Sequence, residues 1–287
     1  MLPGGPPRRA GAARAGQGEF PARADRETPM ADDASPDRPE YPHPRLGRLT
    51  AILEAEYGFQ DRWSRKSPMD QLIATVLSQR TTYADERKAF DNLLARFGDW
   101  DGVARAEVAD IEAEIRTSRY PEIKAPRIKA LLETIIERHG SATLDHLHDM
   151  DVAETTAYLR ALPGVGPKTS TFVQLFSMRR PVLPVDTHVH RTTQRLGIIG
   201  PKVTEARAHD LLLGMLPVDA GEILNFHVLY FKHGQKVCRY RDPSCGRCRL
   251  SHDCDHARAN GRAAPDAARA ADAARAGEAR GTPEDAG

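Results

Sequence analysis

The chain has 287 residues, 40% of them hydrophobic and 28% charged, with a formal net charge of +1. No apolar run approaches the ~18 residues that cross a bilayer, which argues against a membrane-spanning protein. A balanced charge excludes a uniformly basic or acidic chain, so any surface for a polyanion must be local.

Residues 1–43 are rich in Pro, Gly, Ala and Arg and lack hydrophobic periodicity, so a disordered extension is expected there. The start is Arg-rich without an apolar stretch, unlike a secretory signal. Glu19, Asp25, Glu27, Asp32 and Asp33 argue against a transit peptide. A cytoplasmic location is the expectation.

From 44 to 256 the chain reads as all-α. Leu46, Leu49, Ile52 and Leu53 recur at helical spacing, as do Leu72, Ile73, Val76 and Leu77 after a Ser67-Pro68 start. Phe90, Leu93, Leu94 and Phe97 follow, with Gly98 as a stop. Ile128, Leu131, Leu132, Ile135 and Ile136 form another stripe, ended by His139-Gly140. Further helices are expected over 152–162, 167–178, 211–216 and 223–233. The tail from 257 to 287 has no Leu, Ile, Val or aromatic residue and nothing to bury, so it is expected to be disordered.

Leu162-Pro163-Gly164-Val165-Gly166-Pro167-Lys168-Thr169 joins two of these helices by a short glycine loop. Gly164 and Gly166 permit positive φ and close approach of another backbone, and Pro167 suits the first helical position. The amides opening the second helix can bind an anion such as a DNA phosphate. Taken alone, the loop is also an ordinary αα-hairpin turn. Lys168 sits where the helix dipole disfavours a cation, which favours the neutral amine that a nucleophile needs. A phosphate contact is the blander role for it.

Eighteen residues on, Asp186 follows an extended segment with Pro181 and Pro184 and is expected at the N-cap of the next helix. It is either a structural cap or a carboxylate facing Lys168. His188 and His190 form an i, i+2 pair that a helix turns to different sides, so they are not read as a metal site.

All four cysteines fall late in the chain: Cys238, Cys245, Cys248 and Cys254. Such clustering suits a metal or cluster site better than disulfides. Spacing alone leaves zinc and iron–sulfur both open. Residues 228–252 are locally basic, with Lys232, Lys236, Arg239, Arg241, Arg247 and Arg249 against the single acid Asp242. A metal-pinned loop could hold these arginines against a DNA backbone.

Together, LPGVGPKTS (162–170), VDTHVHR (185–191) and the C-x6-C-x2-C-x5-C loop resemble the endonuclease III family of helix-hairpin-helix DNA glycosylases. The resemblance spans roughly 46–256. It implies two helical domains with the active site in a cleft between them: a six-helix module over 65–180, and a second domain from 44–64 plus 181–256 holding a 4Fe–4S cluster on the four cysteines. It further implies Lys168 as a lyase nucleophile and Asp186 as the catalytic carboxylate.

The partner would be double-stranded DNA carrying damaged bases or abasic sites, engaged by a monomer. A damaged nucleotide would be flipped out and oxidised pyrimidines removed through a Lys168 Schiff base, followed by β-elimination. Gln79 matches the residue that the family inserts into the vacated stack, and Tyr120 falls near a second wedge. Pro167, Thr82 and His190 depart from common residues of the family and bear on substrate preference. A non-catalytic DNA clamp and a monofunctional or mismatch-directed glycosylase are the alternatives.

Overall fold

The computed structural model of the chain describes residues 38–263, which lie within one compact unit, Ser35–Gly287. The disorder expected before 38 and after 263 falls outside the described residues. Among the described residues there are twelve α-helices, three short 3₁₀ turns and no strand.

The helices start where short polar side chains can accept their free N–H groups. α1 (Pro44–Tyr57) is capped by His43. α2 (Pro68–Ser78) has a capping box in which Ser67 and Asp70 each accept the other's backbone N–H. α3 (Tyr83–Phe97) starts on Thr82 and stops at Gly98, whose φ of 85° suits glycine. α4 (Trp100–Arg105) and α5 (Val108–Glu114) follow, then α6 (Pro121–His139), α7 (Val152–Arg160) and α8 (Pro167–Met178). The chain ends in α9 (Thr187–Arg195), α10 (Glu205–Leu213), α11 (Ala220–Lys236) and α12 (Asp255–Ala259).

Several boundaries differ from the expected ones. The stretch 65–180 holds seven α-helices, α2 to α8, where the resemblance implies six. α4 and α5 have six and seven residues, too few for a hydrophobic period to register. α10 begins at Glu205 on a Thr204 cap, because its polar first turn still buries Ala208.

The proximal edges of both tails are ordered. Arg38 pairs with Glu222 at 2.6 Å and Glu54 at 2.7 Å, which holds residues 38–43 onto α1 and α11. Ala257 is fully buried inside α12. Two ion pairs and one small buried residue suffice where sequence shows no apolar stripe.

Burial gathers into two hydrophobic cores. One takes Leu72, Ile73, Leu93, Ile128, Leu132 and Leu159 from α2, α3, α6 and α7. The other takes Leu49, Val189, Leu212, Phe226 and Tyr230 from α1, α9, α10 and α11. α8 belongs to both: Val173 lies in the first core and Leu175 in the second.

Between α8 and α9 the chain crosses in extended form. Arg180 anchors its start by donating to the Asp151 and Leu147 carbonyls, each at 2.8 Å, and to Met150 O and Thr155 Oγ1. Burial pulls this guanidinium below its ordinary value. Arg180→Met should therefore leave several carbonyls without a donor and lower stability by about 2–4 kcal/mol. A urea midpoint shifted at unchanged m would be the signature; a shift of a few tenths would show that the anchor is dispensable.

Candidate active site and cysteine centre

The hairpin loop is pinned by Leu162 and Val165, both buried, while Pro163 and Gly164 face solvent. Gly164 has φ of 75°, and a Cβ on it would lie 2.4 Å from Arg127 Nε. Gly166 caps α8 with no side-chain acceptor, so the first amides of that helix have no side-chain partner at the cap. That is the arrangement that favours an anion.

Lys168, in the first turn of α8, is half-buried, with Nζ 5.5 Å from the Phe172 ring centroid. Phe172 and Phe176 stack at 4.9 Å, and both present their rings edge-on to His227, at 5.1 and 5.6 Å. His227 is buried, and its Nδ1 donates to Pro184 O at 2.9 Å. His209 does the same one residue earlier, from Nδ1 to Leu183 O at 2.9 Å. These two imidazoles fix the crossover just ahead of Asp186.

Asp186 is 5% exposed and caps α9, with Oδ1 accepting from the His188 and Val189 amides at 2.8 Å each. Among the described residues Oδ2 has no hydrogen-bond partner. Burial pulls His188 and His227 below their usual values; the Asp186 carboxylate opposes that pull and the Lys168 ammonium adds to it.

The histidine pair separates as its spacing requires. Arg191 donates to His188 Nδ1 at 3.1 Å, while His190 Nε2 donates to Val203 O at 2.8 Å. Arg191 also donates to Gly234 O at 2.9 Å and Cys238 O at 3.0 Å. One turn on, Arg195 donates to Arg239 O at 2.7 Å and Tyr240 O at 3.0 Å. The helix that Asp186 caps is thus tied directly to the cysteine loop.

Cys238, Cys245, Cys248 and Cys254 are all free thiols lining one cavity, with Arg195 and His233 among its walls. Burial, reinforced by the neighbouring thiols, pushes Cys248 up to about 12 and raises Cys254 as well. A cationic centre at Cys248 and Cys254 would oppose that rise by holding the sulfurs as thiolates. Among the described residues no group of three or more His, Cys, Asp or Glu is arranged to hold a single metal ion. Arg239 and Arg241 are exposed on this loop, Arg239 reaching Asp242 O at 3.3 Å.

The remaining candidates lie at a separate pair of loops. Gln79 is half-buried, its Oε1 accepting from Arg127 at 3.2 Å, so Arg127 links it to the hairpin at Gly164. Tyr120 is 44% exposed, with φ of 60°. Sequence reasoning missed Arg127, His209, His227 and Lys124, since a buried polar side chain carries no periodic signal.

Residues 73–215 match the family described as "HhH-GPD superfamily base excision DNA repair protein". An endonuclease III of Thermotoga maritima is 32% identical over 195 residues, covering 68% of this chain and 86% of the relative. One from Synechocystis is 32% identical over 220 residues, covering 75% and 94%. The chain belongs to the endonuclease III family.

A solved trapped endonuclease III–DNA covalent intermediate superposes with a TM-score of 0.65 at 24% identity, covering 76% of this chain and 98% of that one, which shows a shared fold. In this endonuclease III relative the described residues form helices and no strand.

Two outcomes follow for this site. Gly164→Ala should cost about 1–3 kcal/mol, because the new Cβ meets Arg127 and positive φ disfavours it; thermal unfolding at unchanged Tm would contradict that geometry. His209 and His227 have folded values below the ordinary one. Unfolded imidazoles gain protons as pH falls through about 6.5, and these two do not, so stability is lost below that point. His227→Phe should flatten the slope of unfolding free energy between pH 7 and 5, and a slope equal to wild type would rule out its share.

Proposed function

We propose that this chain is a DNA glycosylase with an associated lyase activity, acting on oxidised pyrimidines and abasic sites in double-stranded DNA through a Schiff base on Lys168. What supports this reading is a half-buried lysine in the first turn of α8, directly after the glycine hairpin, together with a buried carboxylate at the start of α9 whose helix-capping bonds fall on one oxygen. A structural cap needs one oxygen of Asp186; the second is left for chemistry. A pure DNA clamp has no use for it.

The steps balance on these two groups. Neutral Lys168 Nζ bonds to C1′ while the glycosidic bond breaks and the base leaves with its electron pair, taking up a proton. Asp186 stabilises positive charge developing on the sugar and takes the proton shed by the amine. Opening of the sugar ring gives an imine. Loss of a C2′ proton then expels the 3′ oxygen and nicks the strand. The target must leave the stack first, since C1′ is unreachable inside the duplex. Gln79 and Tyr120 are the candidates to fill the gap, with Gly164, Gly166, Arg239 and Arg241 holding phosphates.

The cysteine loop supports a 4Fe–4S cluster on Cys238, Cys245, Cys248 and Cys254. Four free thiols share one cavity, in the C-x6-C-x2-C-x5-C spacing by which the chain resembles the endonuclease III family. Such a cluster would neutralise the thiolates and fix the loop bearing Arg239 and Arg241, a structural role.

Borohydride, which reduces an imine to a stable amine, tests the chemistry. Wild-type protein with duplex DNA carrying an abasic site or an oxidised pyrimidine should give a covalent adduct. Lys168→Ala should give none, and Asp186→Asn should slow its formation by about 10²–10⁴-fold. An adduct of normal yield from Lys168→Ala would sink the assignment. Base release without any adduct would mark a monofunctional glycosylase. Purified protein should carry about four irons and four sulfides per chain; active, zinc-loaded, colourless protein would overturn the cluster.

A further inference from the structure

One buried lysine has no acidic partner. Lys124, in the first turn of α6, is 3% exposed. Its ammonium donates to Leu77 O at 2.7 Å, Gln79 O at 2.8 Å, Ser118 Oγ at 2.8 Å and Thr81 Oγ1 at 3.1 Å. Three N–H groups thus serve four oxygens, and no carboxylate is among them. Leu77 O and Gln79 O belong to the end of α2, where carbonyls lack helical partners and a cation is favoured. The same nitrogen gathers both segments that carry the proposed duplex-opening side chains.

Those segments are also stitched to each other. Ser118 Oγ donates to Leu77 O at 2.9 Å, and the Arg119 amide donates to Thr81 Oγ1 at 3.0 Å. Each segment ends in an exposed residue held in the left-handed region: Arg80 at φ 55° and Tyr120 at φ 60°. Left-handed backbone at a non-glycine residue is strained and persists only where its surroundings impose it. Here the imposing contacts converge on one ammonium.

We propose that Lys124 is a positioning residue that locks the 77–82 and 118–120 segments into one rigid unit, so that Gln79 and Tyr120 are presented to duplex DNA in fixed register. This deepens the proposed reaction and rests on it: Lys124 touches no reacting atom and acts only through the two tips. Burial pulls its ammonium down to about 8, so it carries its charge at neutral pH. Lysine suits the task because a compact ammonium can reach four converging oxygens that a planar guanidinium could not.

A fixed tip matters for opening a stack and is irrelevant where there is none. The test therefore compares two oligonucleotides bearing the same abasic site, one duplex and one single-stranded, on the full chain. Fluorescence anisotropy gives the ratio of duplex to single-strand affinity, and borohydride trapping gives the rate on each.

Lys124→Met should lose about 10²-fold in trapping on duplex, the size of an ångström-scale misplacement, and keep its single-strand rate within about threefold. Its affinity preference for duplex should fall in parallel. A folded Lys124→Met that loses both substrates equally, or neither, overturns the proposal, since a merely structural lysine gives no selective loss. If Lys124→Met does not fold, Ser118→Ala, which removes one acceptor and the tie to Leu77, decides by the same ratio in the same direction. Wild-type protein that forms no adduct would defeat the Schiff base, while the anisotropy ratio would still judge the clamp.

Discussion

A carboxylate taken out of water is tolerated only where donors replace the lost solvent. For Asp186 those donors are the His188 and Val189 amides in the first turn of α9, and both fall on one oxygen. Everything proposed for this protein depends on that lopsided arrangement. The helix start holds the side chain in one rotamer and supplies the positive end of a dipole. The second oxygen is left without a hydrogen-bond partner among the described residues.

The proposed amine sits on a helix that packs into two cores. α8 gives Val173 to one core and Leu175 to the other, so its position is set from both sides. Lys168 lies at its N-terminus, directly after the glycine hairpin. The extended crossover then returns the chain, with Arg180 tied to the carbonyls before α7 and His209 and His227 holding Leu183 O and Pro184 O. The segment before Asp186 thus makes its hydrogen bonds to side chains, since it belongs to no helix or sheet.

The cysteine loop is joined to the same helix start rather than hanging apart. Arg191 and Arg195 project from α9 and take the carbonyls of Cys238, Arg239 and Tyr240. Order in that loop and the placement of Asp186 are therefore mechanically linked, which gives a physical reason for the proposed structural cluster beside the proposed amine-and-acid chemistry.

The sequence by itself determined the helical class, several helix starts and the candidate site residues. Those features are local: a capping side chain, an apolar period, a glycine loop or a run of cysteines is complete within a few residues. Ser67, Gly98, Gly140 and the Asp186 cap all fall where local rules put them. Short α4 and α5 escaped because two turns carry no period, and α12 because a single buried alanine is no stripe. Only the tertiary structure joined Arg127 to both Gln79 and the hairpin, and closed Lys124 on oxygens more than forty residues away in three cases. The reason is that a buried polar group is defined by its partners, and partners this distant in the chain meet only when the two cores have formed.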